Sequence, residues 1–321
     1  MPRSEPPASS PQPPAGRQHG VRAAYRGRFA PSPTGPLHFG SLVAAVGSYL
    51  SARAAGGAWL IRIEDIDPPR EVPGSADSIV ATLAGFGFEW NESIVFQSER
   101  SDRYREALER LVSSGAAYPC SCTRSEITAA GMGGPADEPR YPGWCRGGVR
   151  SPQRAQAIRL RVSDERVAFV DAVQGWVTAN VAETVGDFVV RRRDGLTAYQ
   201  LAVSVDDADQ GITHVVRGAD LLESTPRQML LQRALDFATP KYAHLPVATG
   251  ANGIKLSKST GAAALDAGRP HEELWRALRF LRQAPPDELR RSALPTLWDW
   301  AIENWRPQAV YGLRHATIDP A

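Results

Sequence analysis

Residues 28–42 read RFAPSPTGPLHFGSL. The YRGRFA that leads into them is short and aromatic, as a strand is, and the proline-rich loop ends it. From 38 to 55 the residues Leu42, Val46, Tyr49 and Leu50 fall on one helical face, and Gly56 with Gly57 stops the helix. AWLIRIEDID, residues 58–67, follows as a buried strand that runs out into acidic residues. A strand, a tight loop, a helix and a second strand make a βαβ unit of a parallel sheet. A helix that starts behind a Pro/Gly loop offers unpaired backbone N–H groups and the positive end of its dipole, and together these attract an anion. His38 adds a donor at that point, while Gly40 and Ser41 are small enough for a phosphate or a flat base to approach the backbone. On this motif alone, an ordinary helix cap behind proline punctuation reads equally well.

The same alternation continues outward. Helical faces at 75–85 and 101–114 complete a first α/β half over residues 25–118. Residues 119–186 change character, holding all three cysteines, and read as an insertion with returning strand patterns in AIRLRV and RVAFVDAV. The stretch 187–207, DFVVRRRDGLTAYQLAVSVDD, alternates with period two and reads as strand. ITHVVRG, a helix around 220–237, HLPVAT and the loop GANGIKLSKSTG make a second α/β half over 187–260. Residues 261–321 read as a short helical region with apolar faces at 271–281 and 294–305, and residues 1–24, with six prolines and few apolar residues, as a disordered tail. The expected fold class is α/β, a Rossmann-type doubly wound parallel sheet carrying an insertion and a short helical C-terminal region.

The 321 residues, 42% hydrophobic, are enough to bury a sizeable core. A net charge of +2 announces no general polyanion binding, so any nucleic-acid contact is local. No apolar run reaches membrane-spanning length and the N-terminus has no apolar signal core, so a cytoplasmic address and no membrane partner are expected, with the chain as a monomer. Of 37 Lys and Arg residues, the lysines are Lys241, Lys255 and Lys258. A chain that nearly always uses arginine, yet places two lysines in KLSKS (255–259), points to a use for a compact flexible cation there. Drift at two surface positions is the plainer alternative. Framed by Ser257 and Ser259 on a glycine-flanked loop after a strand, Lys255 and Lys258 can close over a triphosphate. The two loops would meet at the crevice where such sheets bind nucleotides.

RFAPSPTGPLHFGSL with RIEDIDPPREVPGS (62–75) and KLSKS resembles the class I aminoacyl-tRNA synthetases of the glutamyl type. Within them the short chain and cysteine insertion are similar to the glutamyl-Q tRNA(Asp) branch, from Arg28 to about Lys258. The resemblance implies that Arg28, Phe29, Ala30, Pro31 and Ser32, with Glu64, Tyr199 and Arg217, bind L-glutamate. It further implies that His38, Gly40, Ser41 and Lys258 bind ATP, with His38, Lys255 and Lys258 as catalytic groups and Mg²⁺ on the triphosphate. The chemistry agrees: two carboxylates ask for arginine forks, one ammonium asks for an acid, and Tyr199 can cover the aliphatic stem. Which arginine takes which carboxylate stays open. The family often writes its first loop with two histidines; here the second is absent, leaving His38-Phe39-Gly40-Ser41.

YPCSCTR (118–124) and RYPGWC (140–145) bring Cys120, Cys122 and Cys145 together as three thiols wanting a fourth zinc ligand, unless they are plain core thiols. The resemblance implies Tyr141 as the fourth; Asp137, Glu138 or water are rivals on the residues alone. It also implies that the insertion's strands contact the acceptor, and that glutamyl-adenylate passes its glutamate to queuosine in the anticodon loop of tRNA(Asp). A short glutamyl-tRNA synthetase charging a 3′ end, a glutaminyl enzyme, and a silent RNA-binding paralogue are the alternatives. Two arginines in the pocket argue against an amide substrate, and the presence of His38 and both loop lysines argues against a silent paralogue. Arg191, Arg192 and Arg193 are candidate phosphate contacts, or an ordinary solvated charge run.

Overall fold

The computed structural model describes residues 25–131, 139–250, 253, 255 and 263–318. The expected 1–24 tail, Lys258, Asp137 and Glu138 lie outside the described residues. In chain order the elements are β1 (Arg26–Phe29), α1 (Phe39–Ala54), β2 (Ala58–Ile63), α2 (Ser75–Gly85), β3 (Val95–Phe96), α3 (Ser101–Ser113), β4 (Ala117–Cys120) and α4 (Arg124–Ala129). There follow β5 (Ala157–Leu160), β6 (Arg166–Asp171), β7 (Gly175–Asn180), α5 (Val181–Thr184), β8 (Val189–Arg191), α6 (Tyr199–Asp209) and β9 (His214–Gly218). The chain continues through α7 (Thr225–Leu235), β10 (Lys241–Leu245), β11 (Val247–Thr249), α8 (Pro270–Phe280), α9 (Leu294–Glu303) and β12 (His315–Thr317).

β1 pairs with β2 and β2 with β3, all parallel; β9 pairs parallel with β10 and β10 with β6, to which β7 is antiparallel. Between the two groups β1 lies beside β9, where Thr213 N–H donates to Arg26 O at 2.9 Å and the Tyr25 ring stacks on His214. The order β3-β2-β1-β9-β10 is that of a doubly wound nucleotide-binding sheet, and its reversal falls between β1 and β9. A separate antiparallel sheet, β4-β5-β8, stands beside it.

Both faces of the parallel sheet are covered, and alternate residues show it. On β2, Trp59, Ile61 and Ile63 join one core with α1, α2, α8 and α9, while Leu60 joins the other with α3, α6 and α7. Val216 and Val215 on β9, and Ala243 and Tyr242 on β10, divide in the same way. The C-terminal helices are docked on the first core: Trp298 Nε1–H donates to Phe86 O at 2.9 Å, and Trp305 Nε1–H to Ser51 Oγ at 3.0 Å.

Within residues 187–207 the strand expectation is corrected. β8 covers only Val189–Arg191, and Tyr199 opens helix α6. Residues Gln200 through Asp207 are all buried, so this helix has no solvent face over that span and no polar stripe to reveal a 3.6-residue period. Around 220–237 the helix proper begins at Thr225; Ala219–Ser224 is a tighter 3₁₀ turn.

Candidate active site

β1 ends at Phe29 and β9 at Gly218, so the loops that leave them meet at the carboxyl end of the sheet, where the strand order reverses. A cavity of about 740 Å³ opens there. Arg28, Phe29, Ala30, Pro31, Ser32, His38, Gly40, Ser41, Glu64, Tyr199, Arg217 and Lys255 all line it. Every predicted glutamate- or ATP-binding residue within the described part of the chain is thus on one wall or another of a single space.

The helix start is built as follows. His38 caps α1 with extended backbone, and its Nδ1 accepts from Ser41 N–H at 3.3 Å. A neutral His38 accepting at Nδ1 carries its proton on Nε2. Leu265 N–H donates to Leu37 O at 2.9 Å, so a returning segment braces the loop from outside. Across the cavity the Lys255 ammonium lies 2.6 Å from Asp220 Oδ2.

Behind the cavity is a buried charge network that sequence reading missed. Arg28 donates to Asp207 through Nε at 3.1 Å and Nη2 at 3.4 Å, and Arg62 Nη2 lies 2.9 Å from Asp207 Oδ1. Arg62 also reaches Glu64 Oε1 at 3.4 Å, and Asp206 takes Arg100 Nε at 2.6 Å, Gln97 Nε2 at 2.6 Å and the Tyr104 hydroxyl at 2.8 Å. Burial would raise Asp207, but Arg28 and Arg62 outweigh it and hold its carboxyl below the usual range. Glu64 goes the other way: burial pushes it up to about 7 against the pull of Arg62 and Arg28. The available signals were a lone arginine inside the apolar strand AWLIRI and the acidic run Asp206, Asp207, Asp209 after an apolar stretch.

Arg217 is anchored differently. Its Nε donates to His244 Nε2 at 3.0 Å and its Nη2 to Thr225 Oγ1 at 2.8 Å, while His244 Nδ1 sits 2.6 Å from Asp171 Oδ2. Burial holds His244 down at about 4 despite Asp171, so the ring is neutral. Nη1 of Arg217 is buried with no partner among the described residues, on a side chain that lines the cavity. A donor left like this asks for an acceptor from a ligand.

Away from this cavity, the Sγ atoms of Cys120, Cys122 and Cys145 lie within 4.8 Å of one another, all buried. The Tyr141 hydroxyl is 3.3 Å from Cys120 Sγ, 3.8 Å from Cys122 Sγ, and accepts from Cys145 N–H at 2.9 Å. Cys122 and Cys145 are separated by 3.6 Å, against about 3.8 Å between sulfurs on a tetrahedron of 2.3 Å bonds. Gly186, at φ +72°, supports Tyr141: a Cβ there would fall 2.5 Å from Tyr141 O. Of the arginine run, Arg192 is held by Asp67 at 2.9 Å and Asp194 at 2.6 Å, and Arg193 Nε donates to Ala155 O.

Residues 24–283 match the family tRNA synthetases class I (E and Q), catalytic domain. Over 90% of its length the chain is 57% identical to the glutamyl-Q tRNA(Asp) synthetase of Dechloromonas aromatica, covering 97% of it. The chain belongs to the glutamyl-Q tRNA(Asp) synthetase family. The family's enzyme from Geobacter sulfurreducens is 51% identical over 94% of this chain and 95% of its own. Among solved structures, the glutamate-tRNA synthetase of Elizabethkingia anophelis superposes with a TM-score of 0.77 at 26% identity, over 92% of this chain and 68% of that one. A glutamate tRNA ligase from Elizabethkingia meningosepticum, solved in complex with its amino acid, superposes with a TM-score of 0.76. The protein is therefore an aminoacyl-tRNA synthetase-like ligase with the class I α/β fold. No helix among the described residues is long and apolar enough to cross a membrane.

Because Asp207 pairs with two buried arginines, Asp207→Ala should destabilise the fold by about 3–5 kcal/mol. Denaturant unfolding of the purified variant measures this; a loss below about 1 kcal/mol would mean that water reaches the pair.

Proposed function

We propose that this protein activates L-glutamate with MgATP, without needing tRNA for that step, and transfers it to queuosine in the anticodon loop of tRNA(Asp). The observation that carries the reading is the Arg217 guanidinium, buried with no partner for Nη1 among the described residues, in a switch-point cavity that it shares with the buried acid Glu64 and the His38-capped helix start. One carboxylate of glutamate suits Arg217. The other suits the edge of Arg28 not occupied by Asp207, Glu64 suits the ammonium, and Tyr199 covers the stem.

In the first step the glutamate α-carboxylate oxygen attacks the α-phosphorus of ATP, the bond to the β-phosphate oxygen breaks, and pyrophosphate leaves. The protein contributes position and charge rather than a covalent bond. His38 with its protonated Nε2, the α1 N-terminus with Gly40 and Ser41, and the lysines Lys255 and Lys258 stabilise the phosphate oxygens. Lys255 is already held toward the cavity by Asp220, and a triphosphate would compete for it. In the second step a hydroxyl of the queuosine cyclopentene-diol attacks the anhydride carbonyl, AMP leaves with the bonding electrons, and an ester remains. A loop base can be splayed into such a cavity, as a paired one cannot. The reading is tested by labelled glutamate, ATP and tRNA(Asp) with or without queuosine, after periodate removal of the 3′ diol with queuosine protected. Label that needs queuosine and survives is expected; label that follows the 3′ ribose makes the protein a glutamyl-tRNA synthetase.

Glu64 makes the first step pH-dependent. A proton on Glu64 blocks its pairing with the ammonium, so kcat/KM for glutamate in ATP–pyrophosphate exchange should rise as pH increases through about 7. Glu64→Gln should be much slower and should lack that rising limb; an unchanged limb would place the titrating group elsewhere.

The cysteine cluster fits a structural zinc ion. Cys120, Cys122, Cys145 and Tyr141 would hold it, tying the 119–124 segment to the 141–145 turn. Metal analysis of protein purified without chelator should give about one zinc per chain, and Cys122→Ser should lose it while retaining most exchange activity. Absence of zinc from the native protein would return the three thiols to the core.

A further inference from the structure

The C-terminal helices carry a second cavity that the activation chemistry does not use. It measures about 630 Å³ and is lined by Arg276, Arg279, Arg282, Arg290, Trp275 and His315, with Phe39 and parts of β12. Its one acidic lining residue, Glu272, lies 3.5 Å from Arg269, outside the cavity. Arg276 pairs with Glu273, but Arg279, Arg282 and Arg290 have no carboxylate partner among the described residues. This is unlike the run at 191–193, where Arg192 is neutralised twice over. The guanidinium carbons of Arg279 and Arg290 lie 4.9 and 5.2 Å from the Trp275 ring centroid. Stacking of this kind fixes the planar forks without neutralising them. Trp275 is 5% exposed, and its Nε1–H is buried without a partner among the described residues.

We propose that this cavity binds the ribose-phosphate backbone of an RNA loop, with Arg279, Arg282 and Arg290 on phosphate oxygens and the Trp275 indole N–H donating to an acceptor on the same strand. Three unneutralised guanidiniums lining one cavity, two of them stacked on Trp275, suit successive phosphates, and a net charge of only +2 means that such a concentration is local. One lining residue, Phe39, directly follows His38 of the proposed activation site; its ring meets Phe280 edge-on and lies 5.3 Å beneath the Arg276 guanidinium. An RNA held here is therefore tethered beside the loop that handles ATP. The inference rests on the proposed RNA substrate, but its test does not depend on glutamate chemistry.

The test is fluorescence anisotropy of labelled tRNA(Asp) and of its anticodon-arm hairpin, without glutamate or ATP, over a range of KCl concentrations. Arg279→Ala/Arg290→Ala should weaken binding by about tenfold and lower the slope of log affinity against log salt by about 1.5. Arg279→Lys/Arg290→Lys should recover the slope. Exchange of ATP and pyrophosphate should stay within about twofold of wild type in both, which also certifies the fold. Unchanged RNA affinity and slope in the alanine pair overturn the proposal. So does loss of inorganic phosphate binding, followed by isothermal calorimetry, with RNA binding intact, since that describes a free-phosphate site. Failure of the wild type to exchange would overturn glutamate activation and leave this measurement standing.

Discussion

Asp207 is where three elements of the fold are fastened together. Its carboxylate, presented by α6, takes Arg28 from β1 and Arg62 from β2, and all three side chains are buried. Charges taken out of water hold only as a set, because removing one leaves the others uncompensated. The set therefore fixes more than stability. It occupies one edge of the Arg28 fork, aims the remainder at the cavity, and surrounds Glu64 with enough positive charge to oppose its desolvation without overcoming it. A carboxyl brought near 7 in this way changes its charge readily when a charged partner arrives.

Arg217 is fixed by a different device, a neutral imidazole set between it and a buried carboxylate. Asp171 on β6 holds His244 on β10, and His244, kept neutral by burial, accepts from Arg217 on β9. The donor at Nδ1 and the acceptor at Nε2 fix the tautomer, and the tautomer fixes the guanidinium. Asp171 Oδ1 also takes the N–H groups of Val173 and Gln174, and the Gln174 side chain bridges His244 O and Leu313 O. The β6–β7 turn, the sheet and the C-terminal segment are thereby joined behind Arg217.

The sequence made the βαβ unit, the helix start at His38 and the cysteine cluster legible because each is local: a turn, a cap or a short spacing. The supports behind them were not. Nothing near Arg28 announces Asp207, 179 residues away, or links Arg217 to Asp171 through His244. α6 was misread because a helix buried along its length has no polar stripe, so V-S-V passed for a strand. Buried polar residues in apolar runs, Arg62 above all, carried the information without saying where the partner lay.

The departure at Ser41 has a physical counterpart. Where related loops place a second histidine, this chain has a small residue whose backbone N–H is bound by His38 itself, so the first histidine is locked by the helix it caps. The outer side of the same loop is held by Leu265 on Leu37 and by Phe39 against Phe280 of α8. The loop thus puts His38 on the wall of the switch-point cavity and the very next residue, Phe39, on the wall of the cavity at α8. Ligands in the two cavities would touch consecutive residues of one loop, and whatever one did to the affinity of the other would have to be returned in equal measure.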